Sequence, residues 1–237
     1  LDEAITYLQT ALSIDSQHRD FNLCLGIALM DGGKHEEAIP YLQRAIEIDP
    51  EHFESLINLG IALASQNRLD EAISCFQTAL STNSENADIN FRLGAVLMQQ
   101  NKHQEAIPYL ARSLDIKPTL AAYSNLISSI QALLNSANHF HVNAEVGQFL
   151  KQSVEKYSKL CDGESIINSL ITTINAYLNS GCSKEALTTA LELESYVYDR
   201  TDRIDESEAT LLYTGFLFAM FSLRDDRAAN SRFAKLA

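Results

Sequence analysis

The 237-residue chain repeats itself at a step of 34 residues. "DEAITYLQTAL" begins at Asp2, "EEAIPYLQRAI" at Glu36, "DEAISCFQTAL" at Asp70 and "QEAIPYLARSL" at Gln104. Three further series keep the same step: Leu25-Gly26, Leu59-Gly60 and Leu93-Gly94; Ser16, Pro50, Ser84 and Pro118; Gly33, Asn67 and Asn101. A fixed period of this length marks stacked supersecondary units, none of which can bury its apolar face alone.

Each unit holds two stretches with helical apolar spacing. The first stretches span Asp20–Gly32, Glu54–Gln66 and Asp88–Gln100, and the second span Glu36–Ile48, Asp70–Thr82 and Gln104–Ile116. Gly33, Asn67 and Asn101 fall between them, and Gly and Asn tolerate the left-handed conformation that ends a helix. Pro50 and Pro118 cannot continue a helix and mark the exit of the second one. Gly26, Gly60 and Gly94 lie inside the first helix, where Gly costs about 1 kcal/mol against Ala. That cost is acceptable where another helix must approach closely. Ala4, Ala38, Ala72 and Ala106 are the small residues on the second helices. Leu8, Leu42, Phe76 and Leu110, one turn later, are expected to fill the space between helix pairs.

On these residues the sequence resembles the tetratricopeptide repeat family. The resemblance covers residues 1–118, the first repeat being partial, and includes Ala11, Ala45, Ala79 and Ser113 and the terminal Pro. It implies an all-α fold, a right-handed superhelix of antiparallel helix pairs (an α-solenoid). The usual aromatic early in the first helix is replaced by Asn22, Leu56 and Asn90, a departure in packing rather than in fold. Residues 119–237 read as diverged repeats continuous with the first part. Ala121–Ser136 is a further first helix, 136–143 an interruption, and Ala144–Cys161 and Glu164–Asn179 are helical. In Ala176–Glu194 the pattern returns, with Gly181 as turn, Ala186 as small residue and Ala190 as filler. Ser207–Leu223 and Asp226–Leu236 complete about thirteen expected helices.

Composition narrows the function classes. The 18 Lys and Arg stand against 31 Asp and Glu, giving net −13. That balance excludes a nucleic-acid binder, which needs basic surface to neutralise phosphates, and argues against docking on anionic lipid. No apolar run approaches the ~20 residues that cross a bilayer. Cys24, Cys75, Cys161 and Cys182 form no CxxC pair, so they read as reduced thiols of a cytoplasmic protein. The chain opens on Leu1 within a helical pattern, which reads as a fragment of something longer.

Little in the sequence can carry chemistry. GxGxxG, P-loop, GxSxG and HExxH motifs are missing. His18 and His52 fall in equivalent turns, and His35 and His103 start equivalent helices, so their recurrence points to structure. His139 and His141 are the close pair, and with Cys161 they fall short of the four ligands of a closed zinc site. Glu36-Glu37, Asp70-Glu71 and Asp225-Asp226 sit in first turns, where carboxylates favour the positive end of the helix dipole. No cofactor is implied.

In the family the first helices line a concave groove. Periodicity assigns to it Asp20, Leu23, Cys24, Ile27, Met30 and Asp31 on one helix. Glu54, Ile57, Asn58, Ile61, Ala64 and Ser65 follow on the next, then Asp88, Phe91, Arg92, Ala95, Met98 and Gln99. The candidate site is Leu23, Ile27, Met30, Ile57, Asn58, Ile61, Phe91, Arg92 and Met98, a partly apolar surface for a protein or peptide. The basic clamp of chaperone-binding members is missing, because Leu23 and Ile27 occupy its places. A second reading is the non-catalytic, substrate-recruiting region of a glycosyltransferase-like enzyme. Asn58 matches one rung of the asparagine ladder in O-linked N-acetylglucosamine transferases, and Asn125 is a further rung if the register slips by one, while Cys24 and Arg92 break the ladder. Leu223–Ala237 is similar to the segment before the catalytic domain of bacterial repeat-containing members. The apolar residues Ile5, Leu8, Leu12 and Ile14 at one end, and Leu211–Leu223 at the other, call for cover by a downstream domain or a second copy.

Overall fold

The computed structural model describes residues 1–135 and 144–157, together with individual helical positions between 166 and 193. The described residues contain no strand. They form α1 (Asp2–Ile14), α2 (Arg19–Asp31), α3 (His35–Ile48), α4 (Phe53–Ser65), α5 (Leu69–Thr82), α6 (Ala87–Gln99), α7 (His103–Ile116), α8 (Leu120–Asn135) and α9 (Ala144–Tyr157). The chain divides into two compact units, Leu1–Lys117 and Pro118–Ala237.

In the first unit, α2–α3, α4–α5 and α6–α7 are helix pairs, and successive helices from α1 to α7 touch. Each observed helix start lies within one residue of its expected place. The turns inside the pairs are of one kind. Gly33, Asn67 and Asn101 have φ of 75°, 58° and 59°. Lys34 N–H donates to Leu29 O, Arg68 N–H to Leu63 O and Lys102 N–H to Leu97 O, each at 2.9 Å. Inside each, the N–H of the positive-φ residue donates to the carbonyl three residues before it, at 2.8, 3.0 and 2.8 Å, which makes all three Schellman caps.

The glycines receive a direct explanation. A Cβ on Gly26 would lie 2.6 Å from Leu42, one on Gly60 2.6 Å from Phe76 and one on Gly94 2.6 Å from Leu110. Leu42, Phe76 and Leu110 therefore pack into the glycine of their own paired helix. This corrects the expectation that they fill the space between pairs. Ala38, Ala72 and Ala106, one turn earlier, have no exposed surface.

The inter-repeat turns hold polar groups that pattern alone does not place. His18, His52 and Asn86 are N-caps of α2, α4 and α6, their side chains accepting from Phe21 N–H, Ser55 N–H and Ile89 N–H. Asn22 is 3% exposed and donates to Ser16 O at 3.1 Å and His18 O at 3.0 Å. Asn90 repeats this on Ser84 O at 3.1 Å and Asn86 O at 2.8 Å. The missing aromatic is thus replaced by an amide that ties the helix to the turn before it. In the middle repeat Leu56 takes the place, and it is buried.

In the second unit, Tyr123, Leu126 and Ile130 of α8 and Leu150 and Val154 of α9 are buried. Gln131 Nε2 donates to Thr172 Oγ1 at 2.7 Å, and Lys151 pairs with Glu192 at 2.7 Å. Ala186 has no exposed surface. Gly181, Ala190, Ser207–Leu223 and Asp226–Leu236 lie outside the described residues, as do His139, His141, Cys161 and Cys182.

Candidate functional site

The candidate residues lie on the first helix of each pair, α2, α4 and α6. Ile27, Met30, Ile57, Asn58, Ile61, Phe91, Arg92 and Met98 are half-buried. Leu23 is not: at 5% exposure it belongs to the core. At about 100° per residue, Asp20, Cys24, Ile27 and Asp31 fall within about 40° of one line along α2. Leu23 lies about 60° to one side, the position that Ile57 and Phe91 hold half-buried on α4 and α6; on α2, which touches α1, α3 and α4, it is covered.

Along that central line the three helices are more polar than the apolar candidates imply. Asp20, Glu54 and Asp88 occupy the same repeat position, one per helix, and all three are exposed. Asp31, Ser65 and Gln99 at the far end of the line are exposed as well. Between these rows lie Ile27, Ile61 and Ala95, each half-buried. Sequence periodicity puts the carboxylate row on this face, but a search for apolar anchors passes over it. The signal that finds it is the 34-residue recurrence of an acid.

The polar candidates are engaged within their own helices. Asn58 Nδ2 donates to Glu54 O at 2.8 Å, so the candidate ladder rung caps a turn of α4. Arg92 Nε donates to Asp88 Oδ2 at 2.6 Å. Arg19 donates to Asp20 at 2.7 Å and to Asp49 at 2.8 Å. The hydrogen bond from Arg19 holds the Asp20 carboxyl below the usual carboxylate range. These pairs are largely solvent-exposed and screened, so they add little to stability.

Cys24 and Cys75 are free thiols, the first exposed and the second half-buried. Burial, aided by the Glu71 carboxylate, pushes the Cys75 thiol up to about 11, so it stays protonated at neutral pH. Among the described residues, no group of three or more His, Cys, Asp or Glu side chains is placed to hold a metal ion. None of the described helices is long and apolar enough to cross a membrane.

Two models of the tetratricopeptide repeat match the chain, one over residues 20–85 and the other over residues 57–121. Residues 20–121 are tetratricopeptide repeats. Solved structures agree. A crystal structure of MamA superposes with TM-score 0.58 at 26% identity, covering 67% of this chain and 83% of that one. YrrB, described as a TPR protein with an unusual peptide-binding site, gives 0.55 at 17% identity, covering 83% of this chain and 93% of that one. Comparison with curated proteins gave no match. Repeats of this family are protein-interaction modules, and this chain carries such a module.

Proposed function

We propose that α2, α4 and α6 line a groove that binds a peptide or helix segment of another protein. The observation that carries the reading is that three positions of the first helix stay half-buried as the repeat recurs, Ile27, Ile61 and Ala95 at one, Met30, Ala64 and Met98 at another, and Ile57 and Phe91 at the third, where Leu23 is buried. Leu42, Phe76 and Leu110, which fill the helix pairs, have almost no exposed surface. A stripe left half-covered at every repeat is surface kept for a partner. The likeness to YrrB carries the fold alone, so this reading rests on the chain's own residues. The reading includes a reducing, cytoplasmic setting, supported by four cysteines without paired spacing. The second reading, a substrate-recruiting region of a glycosyltransferase-like enzyme, gains no support from Asn58, whose amide is spent on its own helix. Leu223–Ala237 lies outside the described residues.

Selection of peptides from a displayed random library on the immobilised chain tests the groove. Phe91→Ala and Met98→Ala are expected to weaken the selected peptides about tenfold or more, a loss of about 1.4 kcal/mol, while melting temperature moves by only a few degrees. A large drop in melting temperature would place both residues in the core. Unchanged binding by both variants would remove the groove.

A further inference from the structure

Three features of the face formed by α2, α4 and α6 bear on the chemistry of its partner. First, Asp20, Glu54 and Asp88 form an exposed carboxylate row across the three helices, with side chains of Asp20 and Asp88 57% and 60% exposed. Second, Ile27, Ile61 and Ala95 form a half-buried apolar row seven residues further along each helix, about 10 Å away at 1.5 Å per residue. Third, both rows repeat once per helix; α2 touches α4, and helices in contact stand about 8–10 Å apart. A ligand that crosses the helices must therefore offer a cation to one row and an apolar group to the other, with a period near 9 Å. The polyproline II conformation does this. It has three residues per turn and rises about 3.1 Å per residue, so every third side chain points the same way about 9 Å further on. A strand fails the same test, because residues three apart point to opposite faces.

We infer that the partner is an extended, basic segment with Lys or Arg at every third position and an apolar residue beside each cation. This rests on the groove reading above and names the chemistry of its occupant. The cations lie along Asp20, Glu54 and Asp88, and the apolar residues along Ile27, Ile61 and Ala95. Arg19 and Arg92, which now pair with Asp20 and Asp88, exchange their exposed ion pairs for the partner's at little cost. The face carries four carboxylates, the row of three and Asp31, against the two guanidiniums of Arg19 and Arg92. Charge complementarity therefore favours a cationic segment over an anionic one.

Three labelled peptides test this on the whole chain by fluorescence anisotropy at about 0.15 M salt, where the Debye length is about 8 Å. One repeats Lys-Leu-Ser, one repeats Glu-Leu-Ser, and one has the length and composition of the first in an order that places no two lysines three residues apart. The first is expected to bind at least about tenfold more tightly than the others. Asp20→Asn, Glu54→Gln and Asp88→Asn combined should weaken it about tenfold. Glu3→Gln, Glu37→Gln and Glu105→Gln combined remove as much charge elsewhere and should change it less than about twofold, because added salt and distance screen them. Equal losses in the two triple variants would mean attraction to net charge alone and overturn the inference, as would no binding of the first peptide or equal binding of all three. Ile27→Ser and Ile61→Ser separate the two levels. If either weakens the first peptide while the acidic triple variant does not, the groove stands and its charge preference falls. If neither does, the groove reading falls and takes the preference with it.

Discussion

Gly60 shows how a single atom decides the sign of a substitution. Glycine inside a helix costs about 1 kcal/mol relative to alanine, so Gly→Ala at an ordinary helical site stabilises. At Gly60 the new Cβ would meet the Phe76 ring at 2.6 Å, and overpacking costs about 1–3 kcal/mol. Gly60→Ala is therefore expected to lower stability by up to about 2 kcal/mol net. Gly32→Ala, whose Cβ would meet its neighbours at 3.4 Å or more, should be neutral or slightly stabilising. Chemical denaturation of both variants checks the contrast. The close approach was legible in the sequence because only packing explains three glycines at one helical position. The partner of each glycine was not, because a filler between pairs and a filler within a pair have the same spacing. Asn22 and Asn90 were illegible for a different reason. An amide in an aromatic's place reads as a lost contact until its hydrogen bonds to the Ser16 and Ser84 carbonyls are seen. The covarying turn residue was the available signal: Ser where Asn follows, and Pro50 where Leu56 follows.

At the scale of the element, the helix ends were readable to within a residue because their chemistry is local. Gly33, Asn67 and Asn101 announced left-handed caps, and the backbone there has positive φ at all three. A side chain without Asn's local hydrogen bonding pays about 1–2 kcal/mol in that conformation. Asn67→Ala should therefore destabilise by about 1 kcal/mol, while Asn67→Gly should be neutral or better. Thermal melts of the pair, run beside the parent, would show an inverted order if the cap geometry were otherwise. The imidazole caps at His18 and His52 were half legible. Recurrence assigned them to structure, yet the acceptor role of Nδ1 needed the geometry of the turn. The candidate face was half legible too. Period 3.6 gives a line on a helix, but the width of the exposed stripe depends on which neighbours touch it, and that is how Leu23 came to be misplaced.

At the scale of the molecule, stability in a stacked array is the sum of each repeat and its contacts with its neighbours. Damage should therefore stay local. Ala72 has no exposed surface where α5 meets α4, and Ala72→Glu would bury a charge with no partner, at about 3 kcal/mol or more. Hydrogen exchange of that variant should show protection lost in α4 and α5 first and kept longest in α8. Uniform loss across all helices would mean one cooperative block instead.

The first helix turns this additivity into a direction. None of its residues is buried, and Tyr7 and Ile14 are 75% and 85% exposed. Ala4, Leu8 and Ala11 are exposed or half-buried there, whereas Ala38, Leu42 and Ala45, at the same positions one repeat on, have no exposed surface. The same side chains thus hold α3 in place and leave α1 held on one flank. Of the helices in the first unit, α1 has the least apolar surface to lose on leaving. A piece cut to start at Leu1 should then melt inward from α1, helix by helix, like a zip opened from the end where it was cut.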